Sequence, residues 1–189
     1  MITIITGSRG VGKTSRLLKM IEELKNKGIP SSGIMTPGIY NEEDCKVGFY
    51  ALDVKTHDQW ELGRSDKLLK GPSYGPFSFS EMGFVRANKI LENVLSNGPT
   101  NVFLDEIGPL ELEKGYGFSP VLSLVGSFGI DRNLYLVIRK SLIDMFVSRF
   151  IPNNDYRIIE ITAENRDSIF LKTIFPSRKI AKLYGGENE

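Results

Sequence analysis

The sequence has very few of the side chains that build metal clusters and disulfide frameworks. Its 189 residues include one cysteine, Cys45, and one histidine, His57. These counts exclude an internal disulfide, a thiol metal cluster and a metal site built on several histidines. Cysteine use of this kind is typical of a reducing compartment, so we expect a cytoplasmic protein.

The charge is balanced, and the sequence has no long apolar run. Lys and Arg total 24 against 23 Asp and Glu, for a net charge of +1. This balance predicts no nucleic-acid partner, and no segment approaches the ~20 apolar residues of a membrane helix. With 41% apolar and 25% charged residues, the composition is that of an ordinary globular protein. We expect a monomer with a single domain over residues 1–189.

Residues 7–14, GSRGVGKT, match the phosphate-binding (Walker A) pattern G-x-x-x-x-G-K-[ST]. Residues 2–6 before them are apolar and β-branched, as in a buried parallel strand. After them, apolar residues recur at helical spacing from Leu17 to Leu24, until Gly28. Strand, glycine loop and helix are the three parts that this motif requires, so the segment predicts binding of a nucleoside triphosphate.

Each part of this loop has an expected role. Glycines let backbone N–H groups turn toward an anion, and the helix N-terminus adds partial positive charge. Lys13 is predicted to reach the β- and γ-phosphates as a catalytic residue, and the Thr14 hydroxyl to coordinate Mg²⁺. The predicted nucleotide-binding residues are Gly7, Ser8, Arg9, Gly10, Val11, Gly12, Lys13, Thr14 and Ser15.

A second candidate site follows the apolar residues 102–104. Asp105 comes at the carboxyl end of this predicted strand, the edge where such sheets bind ligands, and is expected to hold Mg²⁺. Glu106 is expected to activate a water in line with the γ-phosphate, a role worth roughly 10²–10⁴-fold in rate. The alternative is a structural Glu106 that caps a turn or pairs with a lysine. Glu111 and Glu113 are expected to lie in a solvated loop.

The transition state spreads negative charge over the phosphoryl oxygens, so we expect another cationic side chain at the site besides Lys13. Arg139 follows the predicted strand 134–138 and emerges at the ligand edge, either as a catalytic residue or as a solvated arginine. Arg9 is expected to point outward. Arg64, in a loop, is a further candidate for a lid arginine.

Strands and helices alternate along most of the chain. Buried strands are predicted at 33–36, 101–105, 134–138 and 157–161, with helices after Ser78, Ser119, Ser141 and Asn165. Two aromatic-rich runs, 46–54 and 59–62, predict an antiparallel hairpin, followed by a loop at 63–77. The expected fold is α/β, a mostly parallel sheet with helices on both faces and an inserted hairpin and loop at about 40–77.

Residues 105–108 also match D-x-x-G, the second motif of switch GTPases. Those proteins read guanine with N-K-x-D, and the two Asn-Lys pairs of this chain, 26–27 and 88–89, are not followed by that Asp. A guanine-specific switch is therefore not expected.

With both motifs in view, the chain resembles a known family over nearly its whole length, the small nucleoside-triphosphatases of the thermophile type, also called cancer-related nucleoside-triphosphatases. The resemblance rests on residues 7–14 and on 104–112, LDEIGPLEL, which is similar to the family's D-E-I-G-x-[ML]-E-L. It implies a RecA-like P-loop sheet and Mg²⁺-dependent hydrolysis of ATP, GTP and other nucleoside triphosphates with little base selectivity. The residues that carry over are Gly10, Gly12, Lys13, Thr14, Asp105 and Glu106.

One segment departs from that family. Where the family often has T-x-E-V-R, this chain has TPGIY at 36–40, so the acidic and basic groups of that segment are missing.

Two other functions stay open from the sequence. One is a small-molecule or nucleotide kinase, with the hairpin and the 63–77 loop as acceptor pocket. The other is a nucleotide-responsive adaptor in cofactor assembly. Glu106 favours hydrolysis over transfer, because a kinase must exclude an activated water.

Overall fold

The computed structural model describes residues 1–166, and within them ten strands belong to one sheet. The strands are β1 (Ile2–Thr6), β2 (Ser31–Met35), β3 (Gly38–Tyr40), β4 (Lys46–Asp53), β5 (Gln59–Arg64), β6 (Ser73–Tyr74), β7 (Phe77–Phe79), β8 (Asn101–Ile107), β9 (Asn133–Ile138) and β10 (Tyr156–Glu160). The helices are α1 (Lys13–Asn26), α2 (Glu81–Asn97), α3 (Pro109–Leu112), α4 (Ser119–Leu122) and α5 (Ile143–Phe150).

Half of the sheet is parallel, and this half is the parallel sheet that the sequence predicts outside the hairpin insertion. The strand order is β10-β1-β9-β8-β2-β4-β5-β7-β6, with β3 paired to β4 beside this path. The five strands from β10 to β2 pair with one another in parallel. Since parallel strands end at the same edge, the segments that follow β1, β2, β8 and β9 meet there. This edge is where the predicted site residues lie.

The other half of the sheet is antiparallel. The predicted hairpin is confirmed as β4 and β5, and β4 also pairs antiparallel with β2. The sequence did not indicate this pairing, which makes the hairpin a continuation of the main sheet. It protects the outer edge of β2, which would otherwise expose unpaired backbone groups. The segment predicted as a loop, 63–77, contains the last two residues of β5, the whole of β6 and the first residue of β7, so Arg64 lies at the end of a strand and not in a loop.

Helices cover both faces of the sheet, as predicted. Alternate residues of each central strand point to opposite faces, so Ile4 packs in one apolar cluster and Ile5 in the other. The cluster around Ile5 contains Leu17, Met20, Ile21 and Leu24 of α1. The cluster around Ile4 contains the buried apolar residues of α2 and α5.

Two helix starts differ from the sequence prediction. α2 is capped by Ser80, whose side chain accepts a hydrogen bond from the Gly83 amide. The Ser78 hydroxyl instead accepts a hydrogen bond from the Leu69 amide and donates one to the Leu69 carbonyl. α5 begins at Ile143 with Leu142 as N-cap, so Ser141 does not cap it. The helix predicted from Asn165 onward lies almost entirely outside the described residues. None of the helices in residues 1–166 is both long enough and apolar enough to span a bilayer.

Candidate active site

The glycine loop between β1 and α1 has the backbone conformation that the motif predicts. Gly7, Gly10 and Gly12 have φ values of 142°, 78° and 98°, a region that residues with a Cβ rarely occupy. Gly7 also packs so closely on the carbonyl of Ile161 that a Cβ there would overlap it. The loop therefore requires these glycines for its shape.

The N-terminus of α1 opens into this loop. Its N-cap is Gly12, and no side chain caps the first turn. The first N–H groups of a helix have no partner within the helix, and the helix dipole places partial positive charge there. The arrangement is suited to bind an anion.

Lys13 begins α1 and folds back over the loop. Its Nζ donates to the carbonyl oxygens of Gly7 and Ser8, each at 2.8 Å. Burial lowers the pKa of Lys13, and the charges of Glu106 and Asp105 oppose that change. The two acidic residues of the second motif are therefore close enough to Lys13 to act on its charge, as the sequence predicts for one shared site.

Asp105 joins three elements at the ligand edge. It is buried, with 1% of its surface exposed, and its Oδ2 accepts hydrogen bonds from the Thr36 amide at 3.1 Å and the Thr36 hydroxyl at 3.0 Å. The Thr14 side chain also hydrogen-bonds Asp105. Burial raises the pKa of Asp105, the charge of Glu106 raises it further, and the hydrogen bonds from Thr14 and Thr36 oppose both effects.

Thr36 is a residue that the sequence reasoning missed. It follows β2, which pairs with β8 so that Ile34 lies beside Leu104. That register brings the residues just after Ile34 beside those just after Leu104. The signal was the pairing of neighbouring strand ends, which the sequence alone does not specify.

Glu106 has an unusual backbone at the end of β8. Its φ is 68°, and the pairing of β8 with β9 is irregular between Leu104 and Ile107. A bulge of this kind redirects a side chain. Its neighbours Asp105 and Ile107 are buried, whereas Glu106 is exposed. A non-glycine residue in this left-handed region costs ~1–3 kcal/mol. Asp44 and His57 share this conformation in exposed connections between strands, whereas Glu106 has it beside the buried Asp105, at the ligand edge of the sheet.

Two further cationic side chains, Arg139 and Lys46, act on the charge of Lys13. Arg139 is exposed directly after β9, and its amide donates a hydrogen bond to the Ile107 carbonyl. Burial is the main cause of the lowered pKa of Lys13, and the charge of Arg139 lowers that pKa further. The charge of Lys46 has the same effect. Lys46 begins β4 and is the cross-strand partner of Tyr40. The sequence reasoning did not select Lys46, because the sequence did not indicate that β4 pairs with β2 of the main sheet.

The structure also places four other residues that the sequence analysis considered: Arg64, Glu111, Arg9 and His57. Arg64 is bound by the carboxylates of Glu61 and Asp66, so its role as a lid arginine has no support. Glu111, expected in a solvated loop, is buried with 4% of its surface exposed. Arg9 is exposed within the loop, and His57 is exposed with its Nε2 3.0 Å from Lys25 Nζ.

The donor set at Thr14 and Asp105 fits Mg²⁺ bound together with a phosphate chain. In residues 1–166, no three His, Cys, Asp or Glu side chains converge to hold a metal by themselves. Mg²⁺ is commonly held by one or two protein oxygens together with substrate phosphates and water. The hydrogen-bonded Thr14 hydroxyl and Asp105 carboxylate are a pair of this kind.

A glycine loop that leads from a parallel strand into a helix, beside an acidic strand end, defines the P-loop class of nucleotide-binding proteins. Residues 2–174 match the model of a protein family described as NTPase. The chain belongs to this NTPase family and is an enzyme of the nucleoside-triphosphatase class.

Known proteins resemble the chain over most of its length. The nucleoside-triphosphatase THEP1 of Pyrococcus abyssi is 28% identical over 187 residues, which cover 98% of this chain and 94% of that protein. The crystal structure of THEP1 from Aquifex aeolicus superposes with a TM-score of 0.67 at 24% identity and covers 93% of this chain and 99% of its own. The solution structure of a human cancer-related nucleoside triphosphatase gives a TM-score of 0.64 at 20% identity over 98% of both chains. The two structures confirm the predicted RecA-like P-loop fold.

Proposed function

We propose that the chain hydrolyses nucleoside triphosphates to the diphosphate and phosphate, with Mg²⁺ and with little selectivity for the base. The observation that supports hydrolysis most directly is the conformation of Glu106. This side chain leaves the sheet at a strained bulge, directly after the buried Asp105, and its charge acts on Lys13. A carboxylate in that position is suited to accept a proton beside a bound triphosphate.

The nucleotide would bind through its phosphates. In this proposal the amides of residues 7–15 and the N-terminus of α1 surround the β-phosphate, and Lys13 exchanges its carbonyl partners for phosphate oxygens. Those carbonyls belong to Gly7 and Ser8, so the lysine is already held over the loop in which the phosphates would lie. Little side-chain entropy is then lost when the ligand arrives.

Thr14 and Asp105 would be the residues that hold Mg²⁺ beside the bound nucleotide. The ion would supply positive charge that offsets the charge of the phosphate oxygens. Thr36 keeps the Asp105 carboxylate oriented by two hydrogen bonds. Outer residues that orient a metal ligand in this way commonly matter for affinity.

In the chemical step, Glu106 accepts a proton from a water as the water oxygen bonds to the γ-phosphorus. The bond between the γ-phosphorus and the bridging oxygen breaks, and the electron pair leaves with the diphosphate. Lys13 and Arg139 stabilise the charge that develops on the oxygens. Lys46 of β4 contributes further positive charge. Its cross-strand partner, Tyr40, occupies the position at which the resembling family often has arginine.

Low base selectivity follows from where the binding energy comes from. Triphosphate and Mg²⁺ contacts are common to all four nucleotides, and the chain has no N-K-x-D sequence to read guanine. Strong discrimination would need buried polar groups that a wrong base leaves unpaired. A monomeric state, a cytoplasmic location and the lack of a nucleic-acid partner stay predictions of the sequence.

Phosphate release from ATP, GTP, CTP and UTP tests this function. We expect specificity constants within roughly tenfold of each other, a spread of about 1.4 kcal/mol in transition-state binding. Removal of divalent cations with a chelator should stop turnover, and added Mg²⁺ should restore it. A Glu106→Gln variant should bind nucleotide like the parent and release phosphate far more slowly. A thousandfold preference for one base, or phosphate transfer to an added hydroxyl acceptor in place of release, would contradict the proposal.

A further inference from the structure

The Glu111 side chain is enclosed by two chain segments. In α3, its Oε2 accepts a hydrogen bond from the Gly108 amide at 2.9 Å. Its Oε1 accepts one from the Phe118 amide at 3.4 Å. Each carboxylate oxygen therefore has a different backbone N–H as its partner, one on each side of α3.

The Phe118 side of this contact is itself fixed. Asn88 of α2 donates from Nδ2 to the Gly117 carbonyl at 2.9 Å. Gly117 has a φ of 66°, and a Cβ placed on it would overlap Oε1 of Glu111. The carboxylate thus fits between the two segments only because residue 117 has no side chain.

The Gly108 side of this contact leads to Glu106. Gly108 is two residues beyond Glu106, whose backbone is held in the left-handed region. On the β9 side, Ile107 pairs with Ile138 and its carbonyl accepts from the Arg139 amide. A strained residue keeps its conformation only when its surroundings determine it more than once. The contact with Glu111 is the second constraint on this turn.

We propose that Glu111 is a positioning residue that holds the turn after β8 in the conformation that aims Glu106 at the γ-phosphate. This inference rests on the function proposed above. Glu111 contacts neither substrate nor metal. It acts by fixing the Gly108 amide, and with it the direction in which the Glu106 side chain leaves the bulge.

The chemistry of the contact requires a carboxylate. Two N–H donors need two acceptor oxygens, and the Glu111 carboxylate has both in its ionised form, which predominates above its pKa of about 7. Glutamine has the same reach and shape but offers one oxygen, and its NH₂ group would face an N–H donor. A Glu111→Gln variant therefore loses one of the two anchors while the packing volume stays nearly the same.

The first test compares Glu111→Gln with Glu113→Gln, a matched control because Glu113 is exposed at the end of the same helix. A displacement of about 1 Å at a catalytic group can cost ~100-fold in rate, so at pH 8, where Glu111 of the parent is mostly ionised, we expect kcat of Glu111→Gln to fall by ~10–100-fold. KM and the affinity for a non-hydrolysable triphosphate should stay within about twofold, since the glycine loop is untouched. Amide hydrogen exchange at Gly108 should become faster.

The second test displaces the carboxylate without changing it. Gly117→Ala places a methyl group against Oε1 of Glu111, whereas Gly115→Ala meets nothing within 4 Å. Both glycines have positive φ, 66° and 70°, so the two variants share the same backbone strain. Gly117→Ala should lower kcat as Glu111→Gln does, and Gly115→Ala should keep the parent kcat.

Three results would overturn the inference while leaving the hydrolase function intact. One is a folded Glu111→Gln variant with the parent kcat. Another is an equal loss of kcat and nucleotide affinity that follows the loss of thermal stability. The third is an equal effect of Gly117→Ala and Gly115→Ala. If the parent and Glu113→Gln release no phosphate at all, the proposed function itself is wrong.

Discussion

Replacing Glu106 by glycine should make the protein more stable and inactive at the same time. Glu106 has a φ of 68° at the β8 bulge, and glycine adopts this conformation without steric cost. The change also removes the carboxylate that we propose as the proton acceptor. Glu106→Ala removes the same carboxylate but leaves a Cβ in the left-handed region. The difference between the two variants therefore isolates the strain.

The expected difference follows from two opposing terms. The left-handed conformation costs a residue with a Cβ roughly 1–2 kcal/mol. Glycine loses more backbone freedom on folding, which costs about 0.5–1 kcal/mol. The Gly variant should therefore exceed the Ala variant by ~0.5–1 kcal/mol in free energy of unfolding. For a chain of this size, that corresponds to a rise in Tm of ~1–4 °C.

The assay is urea unfolding of both variants, together with phosphate release. His57 provides the control, because it has a φ of 64° in an exposed hairpin turn. His57→Gly should exceed His57→Ala in stability by a similar amount, and both should keep the parent turnover. If Glu106→Gly is no more stable than Glu106→Ala, Glu106 is not strained in solution. If Glu106→Ala hydrolyses ATP at the parent rate, the catalytic role of Glu106 is wrong.

Three further predictions concern charge. Lys13→Ala should abolish turnover and weaken triphosphate binding without unfolding the chain, as measured by phosphate release, nucleotide titration and Tm; parent-level hydrolysis would remove Lys13 from the site. Arg139→Ala should lower kcat more than it raises KM, because the guanidinium is proposed to act on charge that develops in the transition state; an unchanged kcat would make it a solvated arginine. Burial raises the pKa of Glu111 from 4.5 to about 7, so the folded protein keeps a proton that the unfolded chain releases. This stabilisation is complete below pH 4.5 and is lost as pH rises through 7, on the order of 3 kcal/mol. Between pH 5 and pH 8, the free energy of unfolding measured with urea should fall by that much less in Glu111→Gln than in the parent. An equal fall in both proteins would show that the pKa of Glu111 is not raised in the folded state.

The parallel half of the fold and the glycine loop were predictable because their signals are local. The strand before Gly7, the loop glycines and the helix after Lys13 each follow from residues adjacent in sequence. The position of Asp105 also follows from a local rule, since an acid after a buried apolar run lies at the carboxyl edge of a parallel sheet.

The missed features depend on pairing between distant segments. Thr36 reaches Asp105 because β2 lies beside β8, and the charge of Lys46 acts on Lys13 from β4, which joins the main sheet through β2. Neither register can be read from one sequence, because several pairings are compatible with the same apolar pattern. Ser78 was preferred over Ser80 as the cap of α2 because Glu81 completes a capping-box spacing, whereas the Ser78 hydroxyl bonds Leu69.

Glu111 illustrates a different limit of sequence reasoning. Its neighbours Glu113 and Lys114 are exposed, as in a solvated loop, and only the three-dimensional contacts with Gly108 and Phe118 explain its burial. An ionisable group is rarely buried to this extent without a partner charge. Here two backbone amides take that role.

The segment from Asp105 to Glu111 combines three features that each cost free energy of folding. It contains a buried carboxyl at Asp105, a strained backbone at Glu106 and a second buried carboxyl at Glu111. Near neutral pH each of these opposes folding, and proteins tolerate such costs chiefly where activity depends on them. If these costs serve hydrolysis, a variant that removes the backbone strain or one of the buried carboxyls should lower turnover. Removal of that strain or burial should not by itself lower the free energy of unfolding. A surface substitution such as Glu113→Gln should change neither. That combination of stability and activity separates a catalytic segment from a merely structural turn.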